Sequence, residues 1–378
     1  MPAPRWLTRL SSALALGAAL LGASVAAAET IEVTDLAGRV VNVTRDPSKV
    51  VLSEGRQLYT LAMLDRDDPF KRVVGWGDDL IQNDPGAWAK YLAKFPQAKD
   101  VVQMGNPYAA DVSMEKIAAL GTEVYILDLS NYFKAQETGL LAKLEKAGIA
   151  TIFVDFRQDP TRNVLPSVQL LGRVLGREKE AAAFADYYLR QTRRIYARIG
   201  AIADAKKPLV FVERAAGLLP CCATFGPFNF GRFVEEAGGR NWGSQFFSAF
   251  QAQAAQEKVL ADDPDVYFLT GANWYGSNPG SSPVSLGYDA TPEKVQKELA
   301  ALMQRPGFPQ LKAVQGKKVM AFYHQFYDAP YYFVAELAMA KEFYPDLFKD
   351  VDPEAVFKEF HEKFLPVPYS GVFWAKLQ

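Results

Sequence analysis

The chain has 378 residues, 49% of them hydrophobic, with 42 basic against 43 acidic side chains. Near-neutrality without a basic block excludes nucleic acid and an anionic membrane surface as natural partners. A chain of this length outgrows a single hydrophobic core, so two lobes are expected, and the apolar share is enough to fill both.

The stretch "MPAPRWLTRLSSALALGAALLGASVAAAET" opens with Arg5 and Arg9, continues apolar from Leu10 to Val25 and ends on Ala26-Ala27-Ala28 before Glu29. This is the layout of a secretory signal over residues 1–28, cleaved near Ala28; the apolar run is shorter than the roughly 20 residues of a spanning helix. No cysteine stands at the cleavage point to carry a lipid. A soluble periplasmic protein starting near Glu29 is expected. "IEVTDLAGRVVNVTRDPSKVVLS" then predicts a small hairpin around "DLAGR" feeding the buried strand "KVVLS".

A unit of helix, glycine turn and strand follows and repeats. "SMEKIAALGTEVYILDL" places Ile117 and Leu120 on one helical face, Gly121 as the stop and a strand over residues 124–129. "LLAKLEKAGIATIFVDF" repeats it with Gly148 as the cap and a strand over residues 151–156. Next, Gly176 separates two helices, the second over residues 177–202 with Ala181, Phe184, Tyr188, Ile195 and Ile199 as its apolar stripe. At 1.5 Å per residue that helix spans about 40 Å, enough to act as a strut along two lobes rather than pack on one. The same grammar resumes in "KKPLVFVER", "EKVLADDPDVYFLTG" and "LKAVQGKKVMAFY", with helices in "TPEKVQKELAALM" and "PYYFVAELAMAKEFYP", where Pro292 and Pro330 suit a first helical turn.

The expected fold class is therefore α/β: two lobes with mainly parallel sheets flanked by helices, bridged by one long helix. The divisions fall at 29–160 for the first lobe, 161–204 for the helical linker and 205–378 for the second lobe.

In the order "VTDLAGRVVNVTRDPSKVV", "VSMEKIAALGTEVYIL", "LEKAGIATIFVDF", "FVEEAGGRNW", "QEKVLADDPDVYFL" and "FPQLKAVQGKKVMAF", the chain resembles the periplasmic substrate-binding proteins of ABC importers for iron-siderophores, haem and cobalamin. The resemblance covers nearly all of the mature chain. It implies a shallow cleft between the lobes, little hinge motion, no catalysis and no resident cofactor. Its implied partners are an ABC permease dimer in the inner membrane and a small-molecule metal chelate, most simply a ferric siderophore, carried by a monomer. It also implies that Glu115 in "SMEKIAAL" and Glu257 in "QEKVLADDPDV" dock into arginine pockets of the permease. On the residues alone, either glutamate reads as a complement to its helix dipole, and only the resemblance favours docking.

Loops at strand ends should face the ligand. In the first lobe they offer Arg56 and Tyr59 in "SEGRQLY", Trp76, Asp78 and Asp79 in "GWGDD", Tyr108 in "MGNPYAAD", Asn131 and Tyr132 in "NYF", and Arg157 in "DFRQDP". The second lobe offers Arg214 in "VERAAG", Trp274 and Tyr275 in "TGANWYGSN", and Tyr323, His324 and Tyr327 in "FYHQFYDAP". Guanidinium groups pair with carboxylate or catecholate oxygens while aromatic faces cover apolar ligand surface, so this lining suits a bulky anionic chelate. His324 is either a hydrogen-bonded loop histidine or a contact to the chelated metal; His361 in "FKEFHEKF" reads as a helix-face surface residue.

The only cysteines are Cys221 and Cys222, side by side. In an oxidising compartment a vicinal disulfide is the first reading, followed by buried free thiols and then a soft-metal pair. Neither a G-x-S-x-G turn, an H-E-x-x-H helix nor a phosphate loop occurs, and the adjacent cysteines lack C-x-x-C spacing, which argues against an enzyme.

Overall fold

A computed structural model describes residues 29–105 and 113–378; the signal segment and Tyr108 lie outside the described residues. The hairpin pairs β1 (Thr30–Thr34) antiparallel with β2 (Val40–Thr44). The first lobe is then built on a parallel sheet of β3 (Val50–Leu52), β4 (Val73–Trp76), β5 (Val102–Gln103), β6 (Val124–Asp128) and β7 (Ala150–Val154). Their spatial order is β5-β4-β3-β6-β7. Strands such as β3 and β6 are buried along their whole length, because helices cover both faces of the sheet and leave no polar side.

The second lobe carries β8 (Leu209–Glu213), β9 (Ala223–Phe225), β10 (Arg240–Asn241), β11 (Gln251–Gln253), β12 (Val266–Gly271), β13 (Val319–Tyr323) and β14 (Trp374–Lys376). The order is β11-β9-β8-β12-β13-β14, with β10 beside β8. Parallel pairing of β8, β12 and β13 makes its centre, while β9 and β14 are antiparallel additions at either side.

The long helix runs Glu178–Ile199, a length of ~33 Å for its 22 residues. Gly176, at φ 62°, ends the preceding helix Pro160–Val174, and Arg177 N–H reaches back to the carbonyl of Gly172 at 2.6 Å. A side chain at Gly172 would meet the Ala181 Cβ at 2.6 Å, so these two helices need glycine to lie this close. At its start the long helix is tied to the first lobe through Arg177–Asp65 and Glu178–Arg45. Further along, Tyr188 meets the Tyr332 hydroxyl at 2.5 Å and Arg198 pairs with Asp350, both in the second lobe. It is thus a strut between lobes. The helix expected from Pro330 begins three residues on, as Phe333–Phe343.

One apolar cluster runs from Val50 and Leu52 through Phe184 and Tyr188 to Phe322 and Phe357, so both lobes and the strut share it. The C-terminal helix Pro353–Phe364 closes the circuit: Arg66 of the first lobe donates to the carbonyls of Glu362, within its last turn, and of Leu365, just beyond it. A shared core resists large hinge opening. None of the helices among the described residues is long and apolar enough to cross a membrane.

Candidate ligand-binding cleft

In the first-lobe sheet β3 and β6 are neighbours, and the chain leaves β3 toward β4 on one side and β6 toward β7 on the other. Outside the carboxyl ends of such neighbouring strands the connecting loops part and leave a crevice. The chain leaving β3 carries Arg56, that leaving β6 carries Ser130 and Asn131, and that leaving β7 carries Arg157. Facing them are the exits of β8 with Arg214, of β12 with Trp274, and of β13 with His324, Gln325 and Tyr327. Together they line an inter-lobe cavity of about 520 Å³.

The first-lobe wall is charged and tightly organised. Arg56 Nε donates to Asp79 at 2.7 Å, and its Nη1 donates to Gln325 Oε1 at 2.9 Å and to the Tyr327 hydroxyl. Arg157 donates from both terminal nitrogens to Glu54, and Nη2 also reaches Asp328 of the second lobe at 2.6 Å. Burial pushes Glu54 up to about 8; Arg157 opposes the shift, and the negative charges of Asp328, Asp128 and Asp79 add to it. Arg56 and Arg157 from this lobe, with Arg214 across from them, line the cavity, whereas Glu54, Asp79 and Asp328, which hold the first two, are not among its lining residues. The charged groups presented to the cavity are therefore the cationic ones.

Most of the second-lobe wall is apolar and aromatic. Leu218, Leu219, Phe250 and Trp274 line it, and Tyr327 lies under the guanidinium carbons of Arg56 at 5.0 Å and Arg157 at 5.2 Å. His324 is 7% exposed, with its ring 5.1 Å from Trp274 and 4.7 Å from Tyr327. Its Nδ1 is 2.8 Å from the Thr270 hydroxyl, which also accepts the Ala215 N–H at 2.8 Å. With one proton and two lone pairs, that hydroxyl can pair with Nδ1 in either ring tautomer. Burial, then the charges of Arg214, Arg56 and Arg157, hold His324 well below the ordinary imidazole value, so the ring is neutral at pH 7. Among the described residues no group of three or more His, Cys, Asp or Glu side chains is placed to hold a metal ion.

The cavity therefore brings together Arg56, Arg157, Arg214, Trp274, His324 and Tyr327. Tyr59, Trp76 and Tyr323 do not join them and are corrected to core positions. Tyr59 and Tyr323 turn inward because both hydroxyls donate to buried Asp84, and Trp76 packs edge-on against Phe70 and Trp88. Tyr275 turns away toward the helix Pro292–Leu302, donating to Glu298 at 3.1 Å with Lys294 over its ring. His361 is also corrected from surface to core: it is 1% exposed, bonded through Nδ1 to the Phe357 carbonyl and through Nε2 to Tyr288. Burial lowers it to about 4.

Glu54, Asp328, Gln325 and the leucine pair were not singled out from the sequence. Glu54 adjoins Gly55 and Arg56 in a loop already read as ligand-facing, and the sequence carries no sign that its carboxyl turns inward to Arg157.

Glu115 is exposed in the first turn of Met114–Ala119, before β6, and Glu257 is exposed in the first turn of Gln256–Asp262, before β12. A helix feeding a parallel strand runs opposite to it, so both first turns lie toward the carboxyl edge of their sheets, the edge that carries the cleft. Cys221 and Cys222 are joined by a disulfide in the connection between β8 and β9, with Cys222 fully buried. The same connection supplies Leu218 and Leu219 to the cavity.

Solved structures share this architecture. A TroA-like periplasmic binding protein, FepB, from Veillonella parvula is 28% identical, with a TM-score of 0.84 over 92% of this chain and 100% of its own. The molybdate periplasmic binding protein MolA of Haemophilus influenzae is 17% identical, at 0.68 over 90% of this chain and 99% of its own. The triscatecholate siderophore binding protein FeuA of Bacillus subtilis is 17% identical, at 0.56 over 84% and 98%. No curated protein matches the chain. A family model described as periplasmic binding protein matches residues 72–324, and the chain belongs to that family of solute receptors rather than to a family of enzymes.

Proposed function

We propose that this protein is a soluble periplasmic receptor, released by cleavage near Ala28, that binds an anionic metal chelate in the inter-lobe cleft and passes it to an ABC permease. A ferric siderophore is the ligand class favoured. The observation that carries the reading is a single cavity that combines three guanidinium groups, Arg56 and Arg157 on the first-lobe wall and Arg214 on the second, with the aromatic and aliphatic lining around Trp274 and Tyr327. An anionic chelate with apolar flanks satisfies both walls at once: its oxygens take charge-assisted hydrogen bonds from guanidinium groups and its rings stack. The neutral His324 beside Tyr327 offers one imidazole and one phenol to a metal whose chelator leaves a position open. The receptor works as a monomer and needs no cofactor of its own.

Quenching of intrinsic tryptophan fluorescence by a panel of ferric siderophores, haem, cobalamin and nickel chelates tests the ligand. Saturable quenching by a ferric chelate is expected; silence across the whole panel overturns the reading. His324→Ala should weaken and spectrally shift only complexes of chelators that leave an open metal position, and an unchanged spectrum removes the metal contact. Glu115→Lys combined with Glu257→Lys should abolish transport in cells while leaving ligand affinity intact, because these carboxylates orient the receptor on permease arginines. Normal transport by that double variant overturns the docking role.

A further inference from the structure

The connection between β8 and β9 is the only part of the cavity wall that carries a covalent cross-link among the described residues. Its shape is not one its residues choose by themselves. Ala215 sits at φ 47°, in the left-handed region that a residue with a Cβ disfavours, and Gly217 follows at φ 78°. A side chain at Gly217 would come within 2.1 Å of the Ser282 carbonyl oxygen, so the loop bearing Trp274 rests directly on this connection.

Two sets of hydrogen bonds hold its ends. On one side the Ala215 and Ala216 N–H groups bond to Thr270, the residue that holds His324, and Gly217 accepts the Ser282 N–H at 2.9 Å. On the other, Cys222 exchanges both backbone bonds with Ala254, at 3.3 and 3.0 Å. Between the two anchors the Leu218 and Leu219 N–H groups turn back onto the Ala215 carbonyl at 3.0 Å each, and from Leu219 onward Pro220, Cys221 and the disulfide carry this turn to the fixed Cys222.

We infer that the Cys221–Cys222 disulfide is a positioning element of the ligand site: its small ring fixes the Leu218–Leu219 lip against Trp274 and so sets affinity for the apolar flank of the ligand. The affinity arm of this inference rests on the proposed chelate-binding reading; the positioning arm does not. Opening the ring restores rotation about Cys221 and lets the lip move while Cys222 stays pinned to Ala254. The charged wall, anchored through Glu54, Asp79 and Asp328, is untouched by that change. The cysteines are positioning groups here and transfer no electrons to the ligand.

Three measurements on the full mature protein test this. Alkylation without reductant followed by mass spectrometry should find no free thiol; two alkylated cysteines in the protein as isolated overturn the inference. Hydrogen exchange without ligand should show the Ala216, Leu218 and Leu219 amides opening about tenfold faster in Cys221→Ser/Cys222→Ser, with β8 unchanged. Equal exchange overturns the positioning role whatever the ligand proves to be. Finally, ferric tris(2,3-dihydroxybenzoate), with aromatic flanks, should lose about tenfold in affinity in the double variant, while ferric tris(acetohydroxamate) loses little. Equal losses for both probes, or a loss that reoxidation of reduced wild-type protein does not reverse, overturn it. If neither probe binds the wild type, the chelate reading fails, and with it the affinity arm, while hydrogen exchange still decides the positioning arm.

Discussion

The two walls of the cleft solve the same positioning problem with different physics. In the first lobe, Arg56 and Arg157 are held by buried carboxylates and by groups reaching over from the other lobe, so each guanidinium is fixed before any ligand arrives. In the second lobe, the wall is set by packing: His324 between Trp274 and Tyr327, and the leucine pair on a cross-linked connection. A charged wall built this way resists rearrangement, since breaking any pair leaves an uncompensated charge in a dry environment. The apolar wall can give by fractions of an ångström at small cost, and its contribution to recognition is accordingly graded with ligand shape.

The largest expected effect tests the charged wall. Arg157→Met leaves Glu54 and Asp328 without their shared guanidinium and should lower unfolding free energy by about 3–5 kcal/mol in urea denaturation. A loss below about 1 kcal/mol would show that the bridge is no tighter than a surface pair.

The walls should also respond oppositely to pH. Glu54 has a folded value near 8, above its ordinary carboxyl value, so the folded state holds a proton that the unfolded chain has released. Stability from this group is therefore fully present below the ordinary carboxyl range and falls as pH rises toward 8; Asp84 and Asp128, both raised to about 6 by burial, act in the same direction over a narrower window. His324 is held below its ordinary value, so the unfolded chain binds the extra proton and stability falls as pH drops below the normal imidazole range; His361, at about 4, adds to that limb. Glu54→Gln should flatten the alkaline limb of a stability–pH curve measured by urea denaturation, and His324→Gln should flatten the acid limb. If either variant altered the opposite limb instead, the assignment of the walls would be reversed.

A smaller effect belongs to the apolar lip. Leu218→Ala, at a half-buried position, should weaken binding of an aromatic chelate by about tenfold in fluorescence titration with stability changed by less than about 1 kcal/mol.

Much of this arrangement was open to reading in the chain. The alternation of glycine-stopped helices with apolar runs predicts parallel sheets, and the stripe from Ala181 to Ile195 predicts the strut; both follow from periodicities that burial enforces locally. Strand-end loops likewise point to Arg56, Arg157, Arg214, Trp274, His324 and Tyr327. What escaped was direction. The helix Leu58–Leu64 is buried on every side, so no polar face shows that Tyr59 turns inward to Asp84. Tyr323 and His324 are adjacent at the end of β13, yet one donates to Asp84 in the interior and the other lines the cavity. Period-two alternation predicts that they face opposite ways but not which one faces the ligand. Glu54 and Asp328 escaped for a related reason: a bridge between residues so far apart in the chain leaves no local pattern.

The smallest expected effect separates the wall from its surroundings. Tyr275 follows Trp274 directly and is equally aromatic, but its hydroxyl bonds to Glu298 and its ring lies beneath Lys294. Tyr275→Phe removes one half-buried hydrogen bond and leaves the ring, so stability should fall by about 0.5–1.5 kcal/mol. Ligand affinity should change less than about twofold, within 0.4 kcal/mol. Trp274→Phe, in contrast, shortens the apolar wall beside His324 and should cost more affinity than stability. If the two substitutions instead weakened binding equally, the ligand would extend beyond the cavity and along the outer face of the second lobe, and the division between a charged wall and a compact apolar wall would no longer describe how the receptor selects it.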